Sequence, residues 1–199
     1  MSYSEGLLRV IKNDKEFRQI IKEESDIVLS DEDMMITLKN KILIPNAGID
    51  NSNTPEDQVI LWPKDPFLSA RNIWNELKKE YKIENLGIII SDSHCNPLRR
   101  GTSGIAIGWA GLEGVEDVRG NKDLFDRSMK YTTIAIADNL ASGANILMGE
   151  TNASIPFVLV NEAPVVFTTK EQSADDYFVS PVDCIYHRFY HPDFLEKIK

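Results

Sequence analysis

The stretch ILIPNAGIDNSN, Ile42 to Asn53, sets the frame for the chain: an apolar run of strand character passes into a turn of Asn, Ala, Gly, Asp and Ser residues. Just before it, Met34 to Leu38 is a second short apolar run, separated from the first by Lys39 and Asn40. The two read as a hairpin that delivers the chain into the turn from Asn46 to Asn53. Asp50 then stands just beyond a strand, among amide and hydroxyl groups, where a scaffolded loop commonly carries chemistry. Two further acids occupy comparable places. Asp92 ends the strand-like run LGIIISD, and Glu150 lies in the turn GETN that closes an alanine-rich helix. Carboxylates at element ends suit a hard divalent cation, because magnesium takes a few protein oxygens and leaves its other positions to water and phosphate. The same residue types also cap and turn a chain by bonding their own backbone, and the residues alone leave both readings open.

Outward from this turn, Asn13 and Glu16 have the spacing of a capping box, followed by Phe17, Ile20 and Ile21 on one face, which predicts a helix from Asn13 to about Glu24. Asp65 before Pro66 predicts a second helix ending near Tyr81, with Trp74 and Leu77 on its apolar face. Leu86 to Ser91 reads as a buried central strand and Ser103 to Gly111 as another whose small residues allow close packing. Gly114 to Arg127 reads as a long polar surface loop, Thr132 to Met148 as a closely packed helix, and Phe157 to Val160 and Val165 to Thr168 as strands. Asp193 to Lys199 reads as a short terminal helix. With 199 residues and no linker the chain is expected to form one domain over 1–199.

The charge of −9, with 42% hydrophobic and 27% charged residues, describes a globular acidic chain ill suited to nonspecific nucleic-acid binding. No run approaches the roughly 20 apolar residues of a membrane helix and MSYSEGLLRVIKND lacks a leader's apolar stretch, so no membrane partner and a cytoplasmic location are expected. Cys95 and Cys184 lie far apart without a disulfide pattern. Neither GxxxxGK[ST] nor GxGxxG is present, so a bound nucleotide would need another cradle. Arg99 and Arg100 in PLRRGTSG offer planar forks for anionic oxygens, the competing reading being a solvated pair at a turn. His94 with Cys95 raises a cysteine nucleophile, and Cys184, His187 and His191 have zinc-like intervals without an evident fourth ligand. Trp62, Trp74 and Trp109 read as core anchors.

Taken in order, NAGIDNSN, WPKDPFLSA, GIIISDS, PLRRGTSGIAIGWAG, DVRGNKDLFDR, ADNLASGANILMGE and IPFVLV resemble the coenzyme F420:L-glutamate ligase family from about Ile42 to Val160. The resemblance implies an α/β (α+β) fold of mixed sheets with packed helices, assembled as an intertwined homodimer. It implies a ligase that joins L-glutamate to a carboxylate acceptor, coenzyme F420-0 or a related molecule, through an acyl phosphate, with GTP as co-substrate and Mg2+ or Mn2+. By position, Asp50, Asp92, Ser93 and Glu150 match metal-binding residues, with Asp50, Asp92 and Glu150 carrying the catalytic role. Asn53 and the turn Met148, Gly149, Glu150, Thr151, Asn152, Ala153, Ser154 and Ile155 match nucleotide-contacting positions. Arg99 and Arg100 are assigned to substrate phosphate or carboxylate on charge and place alone. Against the family pattern the N-terminus reads as shortened, Tyr3 stands where a phosphate-binding lysine is usual, and Cys95 and Asn96 replace a glycine-arginine pair. These departures frame a competing expectation, a noncatalytic metal- or ligand-binding homologue that has lost nucleotide chemistry.

Overall fold

The computed structural model describes residues 8–189 and Glu196. Tyr3, His191 and the expected helix at Asp193–Lys199, save Glu196, lie outside the described residues. The chain divides into two compact units, one built from residues up to Lys64 together with those from Ala174 onward, the other spanning Asp65–Ser173. Helices and strands are mixed, with the described strands forming small antiparallel sheets.

In the first unit, β1 (Leu8–Val10) pairs with β5 (Gln58–Ile60), while β2 (Ile27–Ser30), β3 (Ile36–Lys39) and β4 (Ile42–Pro45) form a meander in that order. The expected first helix is α1 (Asp14–Glu24), where the Asn13 side chain accepts from Glu16 N at 3.1 Å and the Glu16 carboxylate accepts from Lys12 N at 2.8 Å. It buries Ile20 and Ile21 against Met35, Ala47, Ile49, Val59 and Leu61. The expected hairpin is β3–β4. Its two-residue turn falls at Asn40 and Lys41, with φ of 48° and 65°, the left-handed pair that matches strand twist. Strands β2 and β5 are too short and isolated in sequence to signal themselves.

Beyond β4 the chain makes a tight 3-10 turn at Asn46–Gly48 in which three successive residues have positive φ: Asn46 at 50°, Ala47 at 55° and Gly48 at 67°. A left-handed non-glycine residue costs about 1–2 kcal/mol, so the surroundings must hold this turn, and they do. Thr37, fully buried on β3, donates its hydroxyl to Ile44 O at 2.6 Å and accepts from Ala47 N at 2.9 Å. Asn46 Oδ1 accepts from Met35 N at 3.0 Å, and Asn46 N donates to Met35 O at 2.8 Å. Trp62 lies against Gly48, and Lys39, 5% exposed, pairs with Glu24 at 2.9 Å with its ammonium 5.7 Å from the Trp62 ring centre. The later segment is tied on through Lys41, which pairs with Asp175 and lies 5.0 Å from the Phe178 ring centre.

In the second unit, α2 (Pro66–Tyr81) is capped by Asp65, whose side chain accepts from Leu68 N at 2.9 Å. It packs, with α3 (Ile136–Met148), on the hairpin of β6 (Ile88–Cys95) and β7 (Thr102–Ala110). Ala70, Trp74 and Ala110 form a small core with Leu86, Ile88 and Ile90, and Trp74 Nε1 donates to Leu86 O at 2.8 Å.

Four expectations change here. The apolar run at Leu86 is half-buried in a two-stranded sheet, because β6 has β7 as its neighbour and runs on to Cys95, so Asp92 lies within a strand and not at its end. The polar stretch from Gly114 contains β8 (Val115–Asp117), which pairs with β9 (Thr133–Ala135). Helix α3 accordingly starts at Ile136, since the β-branched Thr132, Thr133 and Ile134 favour extended backbone. Phe157–Val160 and Val165–Thr168 form no strand among the described residues; only Phe167 makes an isolated bridge, to Leu112, and Pro156 and Pro164 each lack a donor.

Candidate functional site

Asp50 belongs to the first unit, exposed, in an isolated bridge with Ile60. Its N donates to Ile60 O at 3.2 Å and its O accepts from Ile60 N at 2.7 Å, so the backbone at this residue is anchored on both sides. The carboxylate is also held: Oδ1 accepts from Ser52 N at 2.8 Å and Oδ2 from the Ser52 hydroxyl at 2.5 Å. This is an Asp-to-i+2 turn, legible in principle from the D-N-S order, yet Ser52 was not singled out from sequence. Asn53, exposed and with φ of 53°, continues the turn. The Thr54 hydroxyl lies 2.8 Å from both Asn51 O and Gln58 O and closes it.

Asp92, Ser93, Arg99, Arg100 and the segment Met148–Ile155 all belong to the second unit. Asp92 and Ser93 sit mid-strand opposite Ile105 and Gly104. Helix α3 presses directly on Gly104, where a Cβ would lie 2.4 Å from Ala141 O, and the Ser142 hydroxyl donates to Gly104 O at 2.7 Å. Ser93, paired with that glycine, shares the helix-facing side, and strand alternation turns Asp92 to the opposite face. Asp92 Oδ1 accepts from Ser93 N at 2.8 Å. Met148 ends α3, Gly149 closes it with its N donating to Asn145 O at 2.8 Å, and Glu150 Oε1 accepts from the Asn145 amide at 2.8 Å. Thr151 to Ile155 follow as exposed irregular chain, Ser154 having φ of 55°. Within this unit the fold thus brings Ser93 and the Asn145–Glu150 pair to the layer where α3 meets the β6–β7 hairpin. Asn145 gave no sequence signal, because its role depends on the helix ending where it does.

As metal donors these groups are all hard oxygens, the right chemistry for magnesium or manganese. Their grouping is another matter: among the described residues no three His, Cys, Asp or Glu side chains stand close enough together to hold a metal ion. The described residues therefore fit the cation by chemistry but not as a preformed cluster. The cysteine nucleophile fares worse. His94 and Cys95 are consecutive residues of β6 and project to opposite faces. His187 Nδ1 lies 3.2 Å from Cys184 O, and His187 N donates to the same oxygen at 2.9 Å.

The DVRGNKDLFDR stretch turns out to be braced on itself. Side-chain hydrogen bonds from Arg119, then its backbone N–H, hold the Asp117 carboxyl at about 2. Backbone N–H groups of Arg127 and Phe125 lower that of Asp123. Its charges satisfy one another, so the loop's polarity is spent on its own shape. No helix among the described residues is long and apolar enough to cross a membrane.

A family model described as F420-0:Gamma-glutamyl ligase matches residues 4–162. The chain is 39% identical over 166 residues to a coenzyme F420:L-glutamate ligase of Methanococcus maripaludis, covering 81% of this chain and 65% of that protein. It is 42% identical over 157 residues to the protein of that name from Methanocaldococcus jannaschii, covering 78% and 62%, and 36% over 152 residues to that from Methanopyrus kandleri, covering 76% and 60%. The chain belongs to the F420-0:gamma-glutamyl ligase family. It spans a little under two thirds of the length of the relatives it matches.

Proposed function

We propose that this chain joins L-glutamate to the carboxylate of coenzyme F420-0 or a related acceptor, using GTP and Mg2+ or Mn2+. The observation that carries the reading is 36–42% identity to L-glutamate ligases over 76–81% of this chain. A carboxylate does not accept an amine unaided. Transfer of the GTP γ-phosphoryl group to the acceptor carboxylate releases GDP and gives an acyl phosphate. The glutamate amine then attacks the acyl carbon, the C–N bond forms, the C–O bond to phosphate breaks, and phosphate leaves as the amine gives up a proton. Asp50 in the first unit, and Asp92, Ser93 and Glu150 in the second, are each assigned as ligands for divalent cations, which when bound would neutralise phosphate charge. Asn53 and Met148–Ile155 are assigned to the nucleotide.

What the chain itself contributes is orientation. Ser52 holds both oxygens of Asp50, and Asn145 holds one oxygen of Glu150, so these anions are aimed before any ligand arrives. The test is to incubate the protein with GTP, L-glutamate, F420-0 and manganese and to follow GDP release and product mass. One glutamyl residue added per GDP formed is the expected result. Glutamylation without GDP release would overturn the GTP-dependent route, and absent glutamylation with either metal would leave a noncatalytic homologue.

The same reading includes a homodimer. Its support is the exposed apolar side chains in the last turn of α3 and in the chain beyond it: Ile146 is 82% exposed, Phe157 86% and Leu159 79%. Apolar side chains so exposed within one stretch of chain mark an interaction surface. Light scattering is expected to give twice the chain mass of 22.5 kDa, and Phe157→Asp with Leu159→Asp is expected to halve it. A wild-type mass of a single chain would remove the dimer.

A further inference from the structure

We propose that the tip of the β6–β7 hairpin, from Asn96 to Ser103, is an oxyanion-binding element that takes a phosphate-type group through Arg99 and Arg100. It deepens the ligase reading by naming a second feature of the substrate, and its chemistry stands on the hairpin itself. The charge distribution is the first argument. The chain carries 31 acidic residues against 22 basic ones, yet from Ser93 to Leu112 it contains no Asp or Glu. Four of the other arginines are engaged: Arg18 pairs with Asp31, Arg119 with Asp117 and Arg127 with Asp123, while Arg71 donates to Lys170 O at 2.8 Å. Arg99 and Arg100, adjacent and exposed, have no carboxylate partner among the described residues. Two neighbouring guanidinium groups left uncompensated in an acidic protein make a local positive field that an anion answers.

The tip is also built to hold its shape. Cys95 pairs with Thr102 at the end of the ladder, the Asn96 amide donates to the Ser103 hydroxyl at 2.9 Å, and Arg99 N donates to Asn96 O at 3.2 Å. Leu98 has φ of 59° and is wholly exposed, so the turn presents its side chains outward with no packing of its own to serve. A pair of planar forks carried on such a turn suits phosphate better than a single point charge, because each fork places two parallel N–H groups on one anion. Asn96 lies four residues beyond Asp92, just past the end of β6, about 13 Å away at the usual strand rise. An anion at the tip is therefore distinct from groups reacting near Asp92. The substrate class is a molecule with a phosphate-type group set well apart from the carboxylate being joined, or a nucleotide whose phosphates reach the tip.

The experiment titrates inorganic pyrophosphate into the 15N-labelled full chain at low and high salt and follows the amides of residues 98–103. Saturable shifts confined to the tip are expected, weakened by salt, with affinity lowered roughly tenfold or more in R99A/R100A and only partly restored in R99K/R100K. Absence of shifts, or equal affinity in R99A/R100A, overturns the site. Steady-state kinetics then assigns the source: a higher KM for the acceptor with that for GTP unchanged identifies the acceptor, and the reverse identifies the nucleotide. Were the wild type to show no ligation at all, the ligase reading would fail while the pyrophosphate titration still decided the tip.

Discussion

Gly48→Ala is expected to lower the unfolding temperature by roughly 4–20 °C, the shift that about 2–5 kcal/mol produces in a chain of this size. Two independent terms add. Gly48 has φ of 67°, and a Cβ built there would lie 2.2 Å from Trp62 Nε1 and 2.3 Å from Trp62 Cε2. The left-handed backbone costs alanine about 1–2 kcal/mol, and forcing a methyl into a filled space costs about 1–3 kcal/mol. Trp62 cannot retreat cheaply, because it is 5% exposed and stands beside the buried Lys39, itself paired with Glu24. Gly143 supplies the contrast. It lies inside α3 with no heavy atom within 4 Å of a built Cβ and no positive φ, so Gly143→Ala should stabilise by about 0.5–1 kcal/mol. Thermal unfolding of the two variants beside wild type checks both signs. A neutral Gly48→Ala would mean that the turn is not held by Trp62, and the account of the Asn46–Gly48 turn would fall with it.

How much of this could be read in advance follows from where the information sits. Helices α1 and α2 were legible because their caps are local: Asn13 and Asp65 are within a few residues of the N–H groups they satisfy. The β3–β4 hairpin was legible for the same reason. Strand partners are non-local, and there the sequence misleads. IPFVLV is as apolar and β-branched as a strand, but it has no ladder in the described chain. The stretch before α3 reads as helix in the sequence, yet it pairs with β8. The candidate acids were visible as residues, whereas their supports were not. Ser52, Asn145 and Thr37 are ordinary polar residues until the fold brings each within about 3 Å of what it holds. The left-handed run at Asn46, Ala47 and Gly48 was hidden too, since a buried alanine gives no hint of positive φ.

Asp92→Asn is expected to reduce GTP-dependent glutamate ligation by at least about a hundredfold while leaving the unfolding transition in place. The substitution keeps the shape of the side chain and an oxygen able to accept from Ser93 N, the contact made now at 2.8 Å, and the β6–β7 ladder does not use the side chain. What disappears is the negative charge, which a hard cation and its phosphates require and a turn does not. Asp50→Asn makes the same separation in the first unit, where an amide can still meet both Ser52 N and the Ser52 hydroxyl. Ser52→Ala reverses the logic: it keeps the Asp50 charge and removes one of its two supports, so a loss of about tenfold is expected, as for an orienting partner. The order of effects is the diagnostic. Both Asn variants far below Ser52→Ala, with all three folding alike, makes the carboxylates chemical. Ligation rates for Asp50→Asn at or above those of Ser52→Ala would make Asp50 a turn-forming residue, and the charge at the head of the NAGIDNSN turn would serve only the backbone around it.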